Sequence, residues 1–403
     1  MKRILQFLTL IAFTAVTVAA MAGAHPNNLA QAKDPKDGWD LPEKVDPKNR
    51  KPLVEDDGKP VIQVAILLDT SGSMSGLIDQ AKAELWSIVN ALGQARYKGQ
   101  IPRLEVALYE YGKSSLSPQQ GYIRQLSPLT GDLDGLSETL FSLETNGGQE
   151  YCAWVIRSAL DGLYWKERKG SLRLVFVAGN ESFYQGPVDF DSVLARANKK
   201  GVLIHPIYCS NGNQNDQLTW SQAAHLARTE LKIIDHNKVV IDPTSPYDDE
   251  IQQLGRKLNT TYIPYGERRK RAEYSSRQEA QDTNSAAAGA ATNRSVAKAS
   301  PAYSNAEWDL VDAEKTGRLD AANLDDEKLP EEMKGMSTAE REAYVKQKAG
   351  ERQAIQDKIR ALESKRQAFL AEKRKDANAP ASLGKAVIDA IANEAPDSGF
   401  EMK

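Results

Sequence analysis

The chain has 403 residues, with 52 Lys plus Arg against 55 Asp plus Glu and a formal net charge of −3. That near-balance excludes a protein built mainly to coat nucleic acid or an anionic membrane, while an apolar fraction of 41% supplies at least one full-sized core. With 4 His and 2 Cys, multi-cysteine zinc sites, iron–sulfur clusters and disulfide-dense scaffolds are excluded as well.

Lys2 and Arg3, the uncharged apolar run 4–20 and the small-x-small triplet Ala22-Gly23-Ala24 predict a signal peptide over 1–24, cleaved near Ala24. The mature chain is then expected in the periplasm or outside the cell, with no stable membrane insertion, because no second apolar run reaches bilayer length. An uncleaved N-terminal anchor is the alternative. Residues 25–60 are polar, charged and Pro-rich (KDPKDGWDLPEKVDPKNRKP) and predict an extended lead-in, from which Trp39 could dock on a domain.

From 61 to 265 strands and helices alternate. VIQVAILLD is a continuous apolar strand, as expected where both sheet faces are covered. A helix over 77–92 follows, then strands RLEVALYEYG and GYIRQLSPL, a helix over 151–163, strand LRLVFVAG and a helix over 188–199. VLIHPIYC is a strand in which Pro206 suggests an edge or a bulge; a short helix over 221–228, strand LKIID and a helix over 248–259 close the unit. The pattern predicts an α/β fold with a doubly wound, mostly parallel sheet, whose ligands bind outside the carboxyl ends of its strands.

Residues 266–302 read as a low-complexity linker: the basic cluster Arg268-Arg269-Lys270-Arg271 leads into SAAAGAATNRSVAKAS. No aromatic residues interleave with that cluster, so it predicts a solvated helix end and no nucleic-acid contact. A helical region over 303–376 follows, with a Ser337-x-x-Glu340 capping box opening a long helix. Ile355, Ile359, Leu362 and Phe369 follow heptad-like spacing interrupted at Arg366, which predicts a coiled-coil-like helix and self-association through it. Residues 377–403 read as a tail.

The end of the first strand carries the strongest local signal, Asp69-Thr70-Ser71-Gly72-Ser73. A carboxylate on the last strand residue and two hydroxyls at spacing two place only oxygen donors on one turn at the ligand-binding edge. That set suits a hard divalent cation, Mg²⁺ or Mn²⁺ with Ca²⁺ as a further option, and offers nothing to a soft metal. The competing reading is that Ser71 or Ser73 merely caps the following helix.

On Asp69, Ser71 and Ser73 the chain resembles the von Willebrand factor type A family, whose metal-ion-dependent adhesion site opens with that segment. The resemblance spans 61–265, and with the EYC (150–152) and YIPYG (262–266) segments and the helical tail it extends to exported bacterial proteins of that type. It implies a Thr from a second loop and an Asp from a third as further ligands, and a protein partner that coordinates the metal through an acidic side chain. Here Gln149 stands at the Thr position with Glu150 beside it, and Asn180 and Glu181 stand where the carboxylate is expected. Gln149, Glu150, Asn180 and Glu181 are therefore the candidates to complete the shell.

Cys152 and Cys209 both fall at the predicted carboxyl edge, where export favours a disulfide; two separate buried thiols are the alternative. Trp220, Phe183 and Tyr184 are candidate partner anchors, ordinary packing being the alternative, and loop 210–216 could offer amides to a partner. No G-x-S-x-G, P-loop, H-E-x-x-H or C-x-x-C motif is present, so no enzyme is expected. His205, His225 and His236 sit in no motif, and Glu150 with Glu181 is the one carboxylate pair offered for hydrolysis. The reading is an exported metal-dependent protein-binding module, with a metal-dependent hydrolase or a structural assembly protein as alternatives.

Overall fold

Nine consecutive apolar-rich residues ending in a carboxylate, Val61–Asp69, form a fully buried strand, β1, and the rest of the sheet is built around it. In the computed structural model the described residues are 58–238, 243–374 and 381–402; the signal peptide, the lead-in as far as 57 and Trp39 lie outside them. After β1 come α1 (Ser75–Gly93), β2 (Arg96–Tyr97), β3 (Arg103–Tyr111), β4 (Ile123–Thr130), α2 (Leu133–Phe141) and α3 (Cys152–Gly162). Next are β5 (Ser171–Gly179), α4 (Phe190–Lys200), β6 (Leu203–Cys209), α5 (Gln214–Ala227), β7 (Lys232–Ile234) and α6 (Asp248–Asn259). The chain continues through α7 (Arg268–Ala287), α8 (Ala291–Lys298), α9 (Leu310–Lys315), α10 (Thr338–Arg374), α11 (Leu383–Glu394) and β8 (Phe400–Glu401).

The main sheet has six strands in the order β4-β3-β1-β5-β6-β7. All neighbours run parallel except β4, which pairs antiparallel with β3. Alternation along β1 feeds two cores: Ile62, Val64, Ile66 and Leu68 pack towards α1, α2 and α11, whereas Ala65 and Leu67 pack towards α3, α4 and α5. Helices therefore cover both faces, as the sequence predicts. Pro206 lies on an inner strand, contrary to the edge expectation. The short β7 pairs only with Ile207 to Cys209, so Pro206 has no strand neighbour on that side.

The tract expected to be a linker is two helices. Ala is the strongest helix former, and α7 docks through polar groups: its buried residues are Arg271, Gln278, Gln281 and Ser285. Ser285 Oγ accepts from the Trp86 indole at 2.9 Å, and Gln281 Oε1 accepts from Ser137 Oγ at 2.8 Å. In α8, Arg294 donates to Asp134 of α2 at 2.7 Å, both groups being almost fully buried. The basic cluster opens α7, and its Arg271 is not solvated but buried, bonded to the carbonyls of Gly266 and Glu327.

The Ser337–Glu340 capping box is present, with Glu340 accepting from the Ser337 amide at 2.8 Å and hydroxyl at 2.7 Å. The seam of α10 is not a coiled-coil seam. Ile355 and Ile359 pack on Ile251 and Leu258 of α6 and on Val296 of α8 within the same chain. Arg366, which interrupts the heptads, is buried in an ion pair with Asp248 at 2.9 Å. Ile355 and Ile359 of the stripe are thus covered within the chain, Leu362 partly so. The tail is also folded: α11 lays Leu383, Val387 and Ile391 into the core under α1, and β8 pairs with β2. Among the described residues no helix is long and apolar enough to cross a membrane.

Candidate functional site

At the carboxyl end of β1 the chain folds back through an Asx turn: the Ser71 amide donates to Asp69 Oδ1 at 2.7 Å, and the Met74 amide donates to the Ser71 carbonyl at 3.1 Å. Helix α1 begins at Ser75 with Met74 at its N-cap and no side-chain capping bond. This decides between two readings of the serines. Their hydroxyls cap nothing; they sit 3.4 Å apart, and Ser73 Oγ accepts from the Asn180 amide at 3.1 Å.

Two glycines bring the second loop onto this turn. The Asn146 amide donates to the Thr70 carbonyl at 3.1 Å, and Gly148 comes so close to Gly112 that a Cβ would lie 2.2 Å from its carbonyl oxygen. Gly112 itself adopts φ 81°, and a Cβ there would lie 2.7 Å from Asp69 Oδ1 and 2.9 Å from Glu150 Cγ. Only glycine fits between the two acids. The backbone packing thus turns Glu150 inward against Asp69, and both are buried. Below them the Tyr111 hydroxyl donates to the Ala178 carbonyl at 2.9 Å and lies 3.6 Å from Cys152 Sγ.

Burial raises the pKa of both carboxyls, and Asp69 raises that of Glu150 further, whereas hydrogen bonds from Glu150 and Ser71 oppose the rise at Asp69. Both shifts favour a proton retained by the pair in the absence of a cation, shared between the two carboxyls. Burial also raises the Tyr111 phenol and the Cys152 thiol, so neither contributes charge beneath the site. Two buried acceptors, Asp69 Oδ2 and Asn180 Oδ1, have no hydrogen-bond partner among the described residues.

Of the seven candidate ligands in the sequence, the structure gathers Asp69, Ser71, Ser73, Glu150 and Asn180. Gln149 is exposed, and exposed Glu181 accepts from Gln185 Nε2 at 2.6 Å. The two cysteines are free. They belong to the cores on opposite faces of the sheet, Cys209 on the α1 side and Cys152 on the α3 side, so the expected disulfide is absent. Trp220 and Phe183 are fully buried and unavailable as partner anchors. Their work is internal: the Trp220 indole donates to the Glu181 carbonyl at 2.6 Å, and their rings meet edge-on at 5.0 Å. Tyr184 alone of the three is exposed, at 41%. Loop 210–216 is partly the first turn of α5, and Asn211 spends its amide on the Asn180 carbonyl.

Sequence reasoning missed His236. It is buried, with Nδ1 lacking a partner; burial lowers its pKa against a hydrogen bond to the Ser73 backbone. Gly76 carried the available signal: a Cβ there would lie 2.4 Å from the His236 carbonyl oxygen. A glycine in the first turn of a helix marks such an approach.

The donor set fits a hard cation: two carboxylates, two hydroxyls and one amide oxygen, with two of the buried oxygens otherwise unsatisfied. Among the described residues no group of three or more His, Cys, Asp or Glu gathers into a metal cluster, so an ion here would depend on neutral oxygens besides its two acids.

No protein-family model matches the chain, and no curated protein matches it. Among solved structures it is similar to a von Willebrand factor type A protein from Catenulispora acidiphila, at 14% identity and TM-score 0.32, over 44% of this chain and 39% of that one. It is also similar to the pilus adhesin SpaC from Lactobacillus rhamnosus GG in its open conformation, at 13% identity and TM-score 0.31, over 44% and 28%. A third is proximal thread matrix protein 1 from the mussel byssus, at 10% identity and TM-score 0.30, over 52% and 61%. The chain spans less than two thirds of the length of each, and the resemblance is a distant structural one.

Proposed function

We propose that the protein is an exported, metal-dependent protein-binding module of the adhesion or scaffold kind, which docks its partner at the carboxyl edge of the sheet. The observation that carries this reading is the pair of buried, unpartnered acceptors, Asp69 Oδ2 and Asn180 Oδ1, beside two serine hydroxyls that cap no helix. Unsatisfied buried acceptors cost about 1–3 kcal/mol each, and a cation at this edge relieves both. Asp69, Ser71, Ser73, Glu150 and Asn180 would hold Mg²⁺ or Mn²⁺, which supplies a Lewis-acidic centre for an oxygen of the partner. Export rests on residues 1–24.

The opposed carboxylates Asp69 and Glu150 favour a second reading, a metal-dependent hydrolase, since a proton shared between acids is what acid–base hydrolysis uses. Two measurements separate these readings from a purely structural protein. Melting temperature is followed while Mg²⁺ or Mn²⁺ is added; an ion that binds only the folded state at 100 times its Kd raises stability by about 2.7 kcal/mol. Capture of envelope proteins is then compared with and without chelator. No melting shift removes the metal, and capture that ignores chelator removes its role in docking.

A further inference from the structure

Away from the carboxyl edge of the sheet, an open cleft of about 460 Å³ runs along the first half of α7, a volume typical of small-ligand sites. One wall is a stripe of α7 at helical spacing, Arg268, Arg271, Ser275 and Gln278. The facing wall is largely apolar, with Tyr262, Pro264 and Trp308.

Two donors on the stripe are buried and not used up by the fold. Arg271 is 8% exposed. Its Nη1 donates to the carbonyls of Gly266 at 2.6 Å and Glu327 at 2.9 Å. Those bonds fix the guanidinium and leave Nε and Nη2, a parallel pair of the kind that grips a carboxylate. Gln278 is 3% exposed. Its side chain lies close enough to the Tyr262 phenol to oppose the rise in that group's pKa, yet Nε2 has no acceptor in hydrogen-bonding geometry among the described residues. Helix α7 also opens with four cations, Arg268 to Arg271, where the macrodipole favours anions. It has no acid in its first turn, and its N-cap Glu267 makes no capping bond.

Of the charged groups lining the cleft only Arg271 is buried. Arg268, Glu279, Glu331 and Glu332 are exposed on the rim, and Glu331 pairs with Lys334 at 2.8 Å. Arg269 and Lys270 lie outside the cleft, facing Glu273 at 3.9 Å and Glu267 at 3.8 Å. Positive charge is thus desolvated on the floor, whereas the acids of the rim are solvated and screened. Arg271 and Gln278 are seven residues apart, about 10 Å along the helix, too far to share one carboxylate. An extended peptide covers that distance in about three residues.

We propose that this cleft binds a short peptide by its free C-terminus. The terminal carboxylate sits on Nε and Nη2 of Arg271, and a backbone carbonyl about three residues upstream accepts from Gln278 Nε2. The exposed glutamates of the rim face the peptide's ammonium. The site is separate from the carboxyl edge and does not depend on a cation there.

The test is isothermal titration of the full-length protein with tetraalanine and with its C-terminal amide. Chelator is present throughout, so that no cation at the sheet edge can hold the carboxylate. Tetraalanine is expected to bind, and the amide at least about tenfold more weakly, because hydrogen bonds to a charged group are lost. Gln278→Met keeps the size of the side chain and removes its donor. It is expected to weaken tetraalanine at least about threefold while leaving the melting temperature of the unliganded protein unchanged or higher. A purely structural Gln278 would do the reverse, lowering the melting temperature with affinity intact, and that result overturns the proposal. So does a failure of tetraalanine to bind at millimolar concentration, or equal affinity for the amide. Acetate bound as tightly as tetraalanine would reduce the cleft to a simple anion site and overturn it as well.

Discussion

Glu150 and Asp69 face each other across a gap that only Gly112 can border, and this contact governs what the site does without a cation. Asp69→Ala is expected to weaken Mg²⁺ binding at least about tenfold in isothermal titration, because it leaves Glu150 as the one carboxylate beside the neutral oxygens of Ser71, Ser73 and Asn180. Glu150→Gln is expected to weaken Mg²⁺ at least about tenfold, ligand charge being a main control on affinity, while changing the melting temperature of the metal-free protein little at neutral pH, because the metal-free pair already carries a proton. An unaltered affinity in Asp69→Ala would place the ion elsewhere. A second residue-scale prediction concerns His205, stacked on Phe176 at 5.1 Å. Burial, and then Lys232, lower its pKa from 6.5 to about 4; the Glu394 carboxylate, 3.8 Å away, is too distant for a hydrogen bond. The unfolded chain therefore binds the proton first, so stability is complete above pH 6.5 and falls as pH drops towards 4. The expected slope approaches 1.4 kcal/mol per pH unit within that window. Urea titrations at several pH values check it, and His205→Leu should flatten the profile.

At the scale of elements, what was legible in the sequence followed apolar periodicity. Buried strands and most one-sided helices between 61 and 259 announce themselves because burying them is hydrophobic work; the nine-residue α2 was passed over. Asp69, Ser71 and Ser73 were legible because a turn after a buried strand fixes their placement by spacing alone. Glu150, Gln149, Asn180 and Glu181 were not separable, since which of two adjacent side chains points inward depends on Gly112 meeting Gly148, a contact between distant loops. Helix α7 was missed for the opposite reason: every buried residue on it is polar, so composition argued for a linker. Its neighbour α8 is held by the Arg294–Asp134 pair, reinforced by Tyr303 donating to Asp134 at 2.7 Å and by Arg294 over the Trp86 ring at 4.7 Å. Removing Asp134 breaks the pair and leaves Arg294 buried with Asp282 as its remaining carboxylate. Asp134→Ala is therefore expected to cost about 3–5 kcal/mol in urea unfolding, whereas an exposed pair such as Arg196–Asp161 should contribute less than about 1 kcal/mol. Equal costs at the two sites would mean that α8 does not depend on the buried pair.

For the whole molecule, the sequence-derived boundary at 265 falls inside one compact unit. The face of the sheet that β1 shows to α1 is closed by residues far beyond it: Leu383, Val387 and Ile391 of α11 and Phe400 of β8. Two further bonds fasten that segment to α1. Gln80 Oε1 accepts from the Leu383 amide at 3.0 Å, and Glu84 accepts from the Gly384 amide. Gln80 also donates to the carbonyls of Asp235 at 2.7 Å and Lys238 at 2.9 Å, so one buried side chain ties the last helix to the turn bearing His236. Burying a Leu, Val, Ile or Phe side chain contributes about 1.5–3 kcal/mol. Four of them amount to about 6–12 kcal/mol, as much as the whole stability of an ordinary domain. A fragment ending at 265 is accordingly expected to lose cooperative unfolding and to bind a hydrophobic dye, although it retains every candidate ligand. Deleting only 381–403 should produce the same defect with α10 still present. Circular dichroism melts, dye fluorescence and size-exclusion chromatography measure it. A monomeric, cooperatively melting 58–265 fragment that binds Mg²⁺ like the full chain would show that the sheet is complete without its C-terminal cover.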